Sequence, residues 1–315
     1  MLKQSRENTV NYFMSVSINT QTSIVSHRRI GLTGSNGFIG GHLLKALQGI
    51  STHRVKVFKR KNKHGVPGLS ELRSFVNDLD IIFHLGGVNR GTPAEVLRGN
   101  ILTMQNLIQA VQALKGDWPH VIFISSSQVY QLQGHSGPIC ESDPVEPQSV
   151  YGIAKKTAED LLVLSGISHT LLRFSNVYGP ACKPHYNSVI ATLCDQALQG
   201  KTLTLNGDGE KGRDFLFIKD AIHALIAVGI SPLKTTRELY NVSSGKITTL
   251  NQIAQQIRQQ IPEACVQHRL SAPSGDPSYR CDSKRFRRRF KWKPEVSIQE
   301  GIPLTLQWHK KRLSK

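Results

Sequence analysis

The chain's 315 residues, 39% of them hydrophobic, can bury a real core and suit one large domain or two ordinary ones, which excludes a globally disordered chain. Forty Lys+Arg against 22 Asp+Glu give a formal net charge of +18, so the partner classes to weigh are anionic: nucleic acid, membrane headgroups or phosphorylated metabolites. The five cysteines (Cys140, Cys182, Cys194, Cys265, Cys281) are scattered and form no C-x-x-C pair, so neither a disulfide framework nor a metal site is expected and a reducing cytoplasm fits; no apolar run is long enough to cross a membrane.

Residues 1–27 are polar and Ser/Thr/Asn-rich, without the apolar stretch of a secretion signal, and read as a loose leader in which Met14 is a second candidate start. From residue 28, short β-branched runs alternate with helical stretches, the pattern of a parallel sheet covered by helices. Strands are expected at 29–33, 54–59, 80–85, 120–125 and 169–173, and helices at 38–48, 69–77, 94–115 and 150–165. Beyond residue 175 the texture turns to Pro/Gly-rich loops and shorter elements. The expected architecture is therefore α/β: a Rossmann-type doubly wound parallel sheet over 28–175, with a smaller α+β lobe over 176–315 whose elements interleave with the first domain.

The stretch "TGSNGFIG" follows the first strand and opens the first helix, with Gly34, Gly37 and Gly40 three apart. Glycine at these places permits a tight turn, close approach of backbone N–H groups to a pyrophosphate, and close helix–strand packing, so dinucleotide binding is expected. The second strand runs straight into Lys59, Arg60, Lys61 and Lys63. An acid at that strand end would hold the ribose 2′-hydroxyl of NAD, whereas a basic group accepts the 2′-phosphate of NADP. With no acid in "VKVFKRKNKHG", the cofactor is NAD or NADP, with Lys59 and Arg60 favouring NADP.

Tyr151 and Lys155 lie four apart on one face of a predicted helix. A phenol titrates near about 10, and an adjacent ammonium together with an oxidised nicotinamide would draw it toward neutrality, fitting it to exchange a proton with a sugar hydroxyl. The tail "SKRFRRRFKWKP" is the most basic stretch, but Phe286, Phe290 and Trp292 are read as core anchors under a solvated basic face, so no nucleic-acid partner is expected.

These motifs and their order resemble the extended short-chain dehydrogenase/reductase family, the nucleotide-sugar epimerases and dehydratases. The matching pieces are "TGSNGFIG", "HLGGVNR", Asn100 in "GNILTMQNL", "SSSQVY", "YGIAKKTAED", "RFSNVYGP", "GDGEKGRDFLFIKDA", "YNVSSG" and "WKPEVSIQEGI", which span roughly residues 29–309. The resemblance implies that Ser126 hydrogen-bonds the reacting oxygen beside Tyr151 and Lys155. It assigns the cofactor to Gly34, Asn36, Gly37, Phe38, Ile39, Gly40, Leu85, Gly86, Gly87, Asn100 and Ser125, with Tyr151 and Lys155. The substrate falls to Asn89, Ser127, Gln128, Asn176, Asn187, Arg213 and Tyr279, with Tyr279 near a gate that limits bulk at the sugar C2 substituent. A guanidinium such as that of Arg213 suits phosphate oxygens. One phosphate-binding Arg of the family is replaced here by Pro273, with Arg280 as a substitute.

Dehydratases of the family carry an Asp-Glu pair after this hydroxyl residue, and decarboxylases a Glu nearby; here Ser127 and Gln128 stand there, which disfavours elimination. The expected activity is a UDP-glucose 4-epimerase-like hydride transfer at C4 of a UDP- or dTDP-hexose. The alternative is an NADPH-dependent nucleotide 4-keto-6-deoxy-sugar reductase. A non-catalytic NAD(P) sensor is disfavoured because Ser126, Tyr151 and Lys155 are all present. The resemblance also implies a homodimer through the helices at 94–115 and 150–165. Only 20 residues separate Phe58 from Leu79, too few for the helix and third strand the family fits there, so that unit is expected to be pared down.

Overall fold

The computed structural model describes residues 27–50, 53–60, 65–134, 137–186, 188–231, 236–272 and 277–314. The expectations for residues 1–26, for Lys61 and Lys63, for Asn187 and for Pro273 lie outside the described residues.

A six-stranded, wholly parallel sheet organises the chain. Its strands are β1 (Arg28–Thr33), β2 (His53–Val57), β3 (Ile81–His84), β4 (His120–Ser126), β5 (His169–Phe174) and β9 (Arg237–Val242), in the order β2-β1-β3-β4-β5-β9. The central strands β3, β4 and β5 are buried on both faces, so both sides of the sheet must be covered. Ile122, Ile124 and Leu172 pack on one side with Leu43 and Leu47 of α1 (Phe38–Gln48) and Ala221, Leu225 and Val228 of α6 (Ile218–Ile230). The alternate residues Val121, Phe123 and Leu171 pack on the other. Their partners there come from α2 (Leu69–Val76), α3 (Pro93–Gln112) and α4 (Val150–Leu164). Each such aliphatic side chain is worth roughly 1.5–3 kcal/mol when taken out of water. The doubly wound parallel sheet expected from the sequence is thus present.

Helix starts follow local chemistry. Thr92 and Glu95 form a capping box with Pro93 at the first position of α3, and Ser149 accepts the Gly152 N–H at the head of α4. The second strand is shorter than its expected span: β2 stops at Val57, and Phe58 adds one more N–H bond to Leu32 O before the chain leaves the sheet. Lys59 therefore lies past the strand end. Among the described residues no further strand lies between β2 and β3; α2 leads the chain back to β3, and β2 is the sheet edge.

The remaining elements are β6 (Asn176–Tyr178), α5 (Val189–Leu198), β7 (Leu203–Asn206), β8 (Gly212–Phe217), β10 (Ile247–Thr249), α7 (Leu250–Gln260), β11 (Val266–Arg269), α8 (Lys284–Phe290) and α9 (Ile298–Leu313). They build a three-stranded sheet β10-β8-β6 and a parallel pair β11-β7. The sequence reading did not pick out β9, which lies far along the chain yet pairs with β5 over its whole length. No helix among the described residues is long and apolar enough to cross a membrane.

The basic tail packs as its aromatic spacing suggested. Phe286 is fully buried and meets Tyr240, Phe290 and Trp292 at centroid distances of 5.8, 4.7 and 5.3 Å. Trp292 donates its indole N–H to Asp220 O at 3.1 Å, while Lys284, Arg285, Arg288 and Arg289 face solvent. Phe286→Ala is expected to cost roughly 3–5 kcal/mol in urea unfolding, against less than about 0.5 kcal/mol for Arg288→Ala. Equal losses would mean that α8 is not anchored through its aromatic face.

Candidate active site

The turn after β1 has a steric reason for each of its glycines. Gly34 sits at φ +74°, and a Cβ there would lie 2.7 Å from Gly86 N. A Cβ on Gly40 would come within 2.1 Å of Gly34 O, and one on Gly37 within 3.2 Å of the same oxygen. Gly37 caps α1 without a side chain, so the first-turn N–H groups face outward into a cradle that any Cβ would fill. Thr33 ties this turn to the loop after β3: its hydroxyl accepts Gly86 N–H at 3.2 Å and meets His84 Nδ1 at 2.9 Å. Burial lowers the His84 pKa to about 3, so the ring stays neutral. Leu85 and Gly86 are half-buried there, Phe38 and Ile39 flank the cradle, and Asn36 is exposed at its rim.

A second convergence lies at the head of α4. Gly152 lets the helix press against the end of β4, since a Cβ would lie 2.3 Å from Gln128 O. Ser149 Oγ donates to Gln128 Oε1 at 3.0 Å, and Lys155 Nζ donates to Ile124 O at 2.8 Å. These contacts dock the turn bearing Tyr151 on the segment Ser126–Gln128. Lys155 Nζ stands 5.9 Å from the Tyr151 ring centroid and 4.6 Å from that of Phe123. Asn100 comes in from α3; its amide donates to Val88 O and Val96 O, while its buried Oδ1 has no partner and lies 2.5 Å from where a Gly87 Cβ would be. Ser125 Oγ is likewise buried without a partner. Unused buried polar atoms beside a glycine cradle fit a ligand that brings its own hydrogen-bond partners, as a dinucleotide does.

Within the chain alone, burial pushes the Tyr151 phenol up to about 12. Burial also pushes Lys155 down to about 8, with Glu159 one turn on opposing that fall. Glu159 is itself held in a buried ion pair with Arg173 of β5, at 3.0 Å to Nε and 2.6 Å to Nη2. Arg173 lies 4.6 Å over the Tyr130 ring, whose hydroxyl donates to Asn241 Oδ1 of β9 at 2.7 Å. Sequence reasoning missed this pair as a site feature. The signal was present, a Glu four residues after Lys155 and an Arg on the next strand.

The substrate residues expected beyond β4 gather in one cluster. Tyr279 is buried, its hydroxyl 3.0 Å from Ser127 Oγ and accepting Asn176 Nδ2 at 3.3 Å. Arg213 lies 5.8 Å from the Tyr279 ring and donates to Gly212 O and Pro277 O, both at 3.0 Å. The neighbouring Asp214 carboxylate accepts from Ser244, Gly245 and Cys281. Ser126 Oγ accepts Gln128 N–H at 3.2 Å, and Asn89 is half-buried on the loop after Gly87. Lys59 and Arg60 are exposed beyond the edge strand, with Arg60 donating to Gly65 O at 3.0 Å.

Comparison with known proteins fits this geometry. A family model described as the NAD dependent epimerase/dehydratase family matches residues 30–243. A UDP-N-acetyl-alpha-D-glucosaminuronate decarboxylase of Bacillus cytotoxicus is 29% identical, covering 89% of this chain and 97% of that one. A putative UDP-glucose 4-epimerase of Methanocaldococcus jannaschii is 26% identical, with the same 89% and 97% coverage. The crystal structure of a UDP-glucuronic acid 4-epimerase from Bacillus cereus, in complex with UDP-glucuronic acid and NAD, superposes with a TM-score of 0.80 at 25% identity, covering 90% of this chain and 99% of that one.

Glu159→Gln leaves the Arg173 guanidinium buried without its counter-charge. It is expected to cost roughly 3–5 kcal/mol of stability in denaturant unfolding. Because Glu159 raises the Lys155 pKa, its loss moves the Lys155 titration to lower pH, read from the Nζ chemical shift against pH. A titration left unmoved would separate Glu159 from Lys155.

Proposed function

The chain belongs to the NAD-dependent epimerase/dehydratase family, in the extended short-chain dehydrogenase/reductase group, and on that footing we propose that it is a 4-epimerase of a UDP- or dTDP-activated hexose. The observation that carries this reading is the pair that follows Ser126. Where family members that eliminate water or carbon dioxide place acids, this chain has the Ser127 hydroxyl, held by Tyr279, and the Gln128 amide, held by Ser149. Neither side chain can shuttle the extra proton that elimination requires. A hydride removed from C4 and returned to the same carbon needs one acid–base group and one hydrogen bond to the reacting oxygen, and Tyr151 and Ser126 suffice.

When bound, NAD(P) supplies the hydride acceptor in the first half of the reaction and the hydride donor in the second. The residues to hold it are Gly34, Gly37 and Gly40 at the pyrophosphate, Gly86, Gly87 and Asn100 on the next loop, and Lys59 and Arg60 at the adenosine end. Tyr151, as phenolate, takes the proton of the C4 hydroxyl while Ser126 hydrogen-bonds that oxygen. The product is a 4-keto sugar and a neutral phenol. After the sugar presents its other face, Tyr151 gives the proton back and C4 is inverted. The Lys155 ammonium, retained below about pH 8, favours the phenolate against the burial that opposes it. Asn176 and Arg213 take the diphosphate side, and Tyr279 closes the pocket on the C2 substituent, favouring UDP-glucose over UDP-N-acetylglucosamine.

The second reading, an NADPH-dependent 4-keto-sugar reductase, rests on the exposed Lys59 and Arg60 and on the lack of an acid at that strand end. One experiment addresses both. The purified protein is denatured, the released cofactor identified by chromatography, and the native protein incubated with UDP-glucose and UDP-galactose. Retained dinucleotide with interconversion, lowered about 100- to 10,000-fold by Tyr151→Phe, is the expected result. Unchanged turnover in Tyr151→Phe would overturn the assignment. An empty site that consumes NADPH only with a keto-sugar, and loses NADPH affinity roughly tenfold or more in Lys59→Glu/Arg60→Glu, selects the reductase.

We also propose a homodimer through α3 and α4. Val150, Ile153 and Leu164 are 37%, 45% and 84% exposed and lie along one stripe of α4 with Thr157 and Leu161, an apolar face without a cover in the monomer. Sedimentation should give a particle of about twice the 35.0 kDa chain mass, reduced to the monomer by Ile153→Glu. A monomeric parent protein would remove the dimer.

A further inference from the structure

Away from the hydride-transfer site, at the start of α6, a fully buried carboxylate is only half satisfied. Asp220 Oδ2 accepts Val296 N–H at 3.0 Å, while Oδ1 is buried without a hydrogen-bond partner. His223 lies one turn further along α6, on the same side as Asp220. Glu295 arrives from the segment between α8 and α9, which Asp220 fastens to α6 through Val296 N–H and the Trp292 indole. One donor atom from each of Asp220, His223 and Glu295 lies within 4.8 Å of the other two. The burial of the three is graded: Asp220 is enclosed, His223 intermediate and Glu295 exposed, so a small ion can enter from solvent and reach the buried oxygen.

The charge balance of the cluster points the same way. Two carboxylates and a neutral imidazole carry two negative charges, with Lys219 as the cationic neighbour acting on both Asp220 and His223. A dication would offset the charge of the two carboxylates and give Oδ1 a partner. The donor set discriminates among dications: magnesium and calcium prefer six or more oxygens, whereas one imidazole with two carboxylates suits zinc, with water completing a tetrahedron.

We propose that Asp220, His223 and Glu295 form a zinc site that staples the segment carrying Trp292, Glu295 and Val296 to the N-terminal turns of α6. The staple is structural. Because α6 follows directly on β8, it would steady the strand that bears Arg213, with no part in proton or hydride transfer.

The test uses the full chain, stripped with a chelator and then dialysed against zinc chloride, with zinc measured by elemental analysis and stability by thermal melting. Near-stoichiometric zinc and a melting temperature raised by zinc are expected for the parent protein. His223→Ala and Glu295→Ala, at positions open enough to fold normally, should bind zinc more than about 100-fold more weakly, since even outer-shell changes at metal sites cost 10–100-fold. They should also lose the zinc-dependent rise in melting temperature. A parent protein that retains no zinc overturns the proposal. So does zinc retained equally by both variants, which would place the metal on other histidines or cysteines.

Discussion

The close approach of α4 to the end of β4 is the constraint on which the rest of the site depends. It is possible because residue 152 is glycine: any side chain there would collide with Gln128 O. With the helix that close, the Lys155 stem has nowhere to go but inward, and its ammonium ends buried on Ile124 O. A buried ammonium is costly unless neighbours compensate. The compensation runs outward from Glu159 on the same helix to two adjacent strands, through Arg173 on β5 and Tyr130 with Asn241 of β9. With the Lys155 bond to Ile124 O, α4 is thus hooked to β4, β5 and β9 by polar contacts in a region otherwise packed with apolar side chains.

The same economy operates at the opposite edge. Dropping one strand beyond β2 leaves an edge that carries charge, with Arg54, Lys56, Lys59 and Arg60 in or just past it. Charged edge strands discourage pairing with a second sheet, so the basic run has a structural use that does not depend on any ligand. It also means that the adenosine end of a dinucleotide would meet a positively charged rim.

Period and spacing made the sheet legible. Runs such as "HVIFIS" alternate faces that are both buried, and the helices between them carry their own start signals in Ser149 and in Thr92 with Glu95. The glycine turn and the Tyr151–Lys155 pair were legible because each is local. What escaped was non-local. β9 reads as "RELYNV", half polar at its start, and only its pairing with β5 makes it a core strand. The Glu159–Arg173 pair joins a helix to a strand, and the cluster of Asp220 and His223 with Glu295 joins one helix to a distant segment, so in each case the sequence shows one partner's place but not the contact.

Relatives that decarboxylate and relatives that epimerise resemble this chain to nearly the same degree, so neither fold nor cofactor cradle selects the reaction. In the reading proposed above, selection falls to the few side chains placed around the sugar. Ser127 does not stand alone: its hydroxyl meets Tyr279, which accepts from Asn176, which in turn reaches Asp214 O on β8. The lack of an acid at Ser127 and the bulk of Tyr279 are therefore one feature. A carboxylate at position 127 would face the Tyr279 hydroxyl in a buried pocket, and desolvation would hold it protonated unless the tyrosine gave way. Acquiring elimination chemistry would thus require changing the wall of the sugar pocket as well, which couples the reaction performed to the substituent the pocket admits.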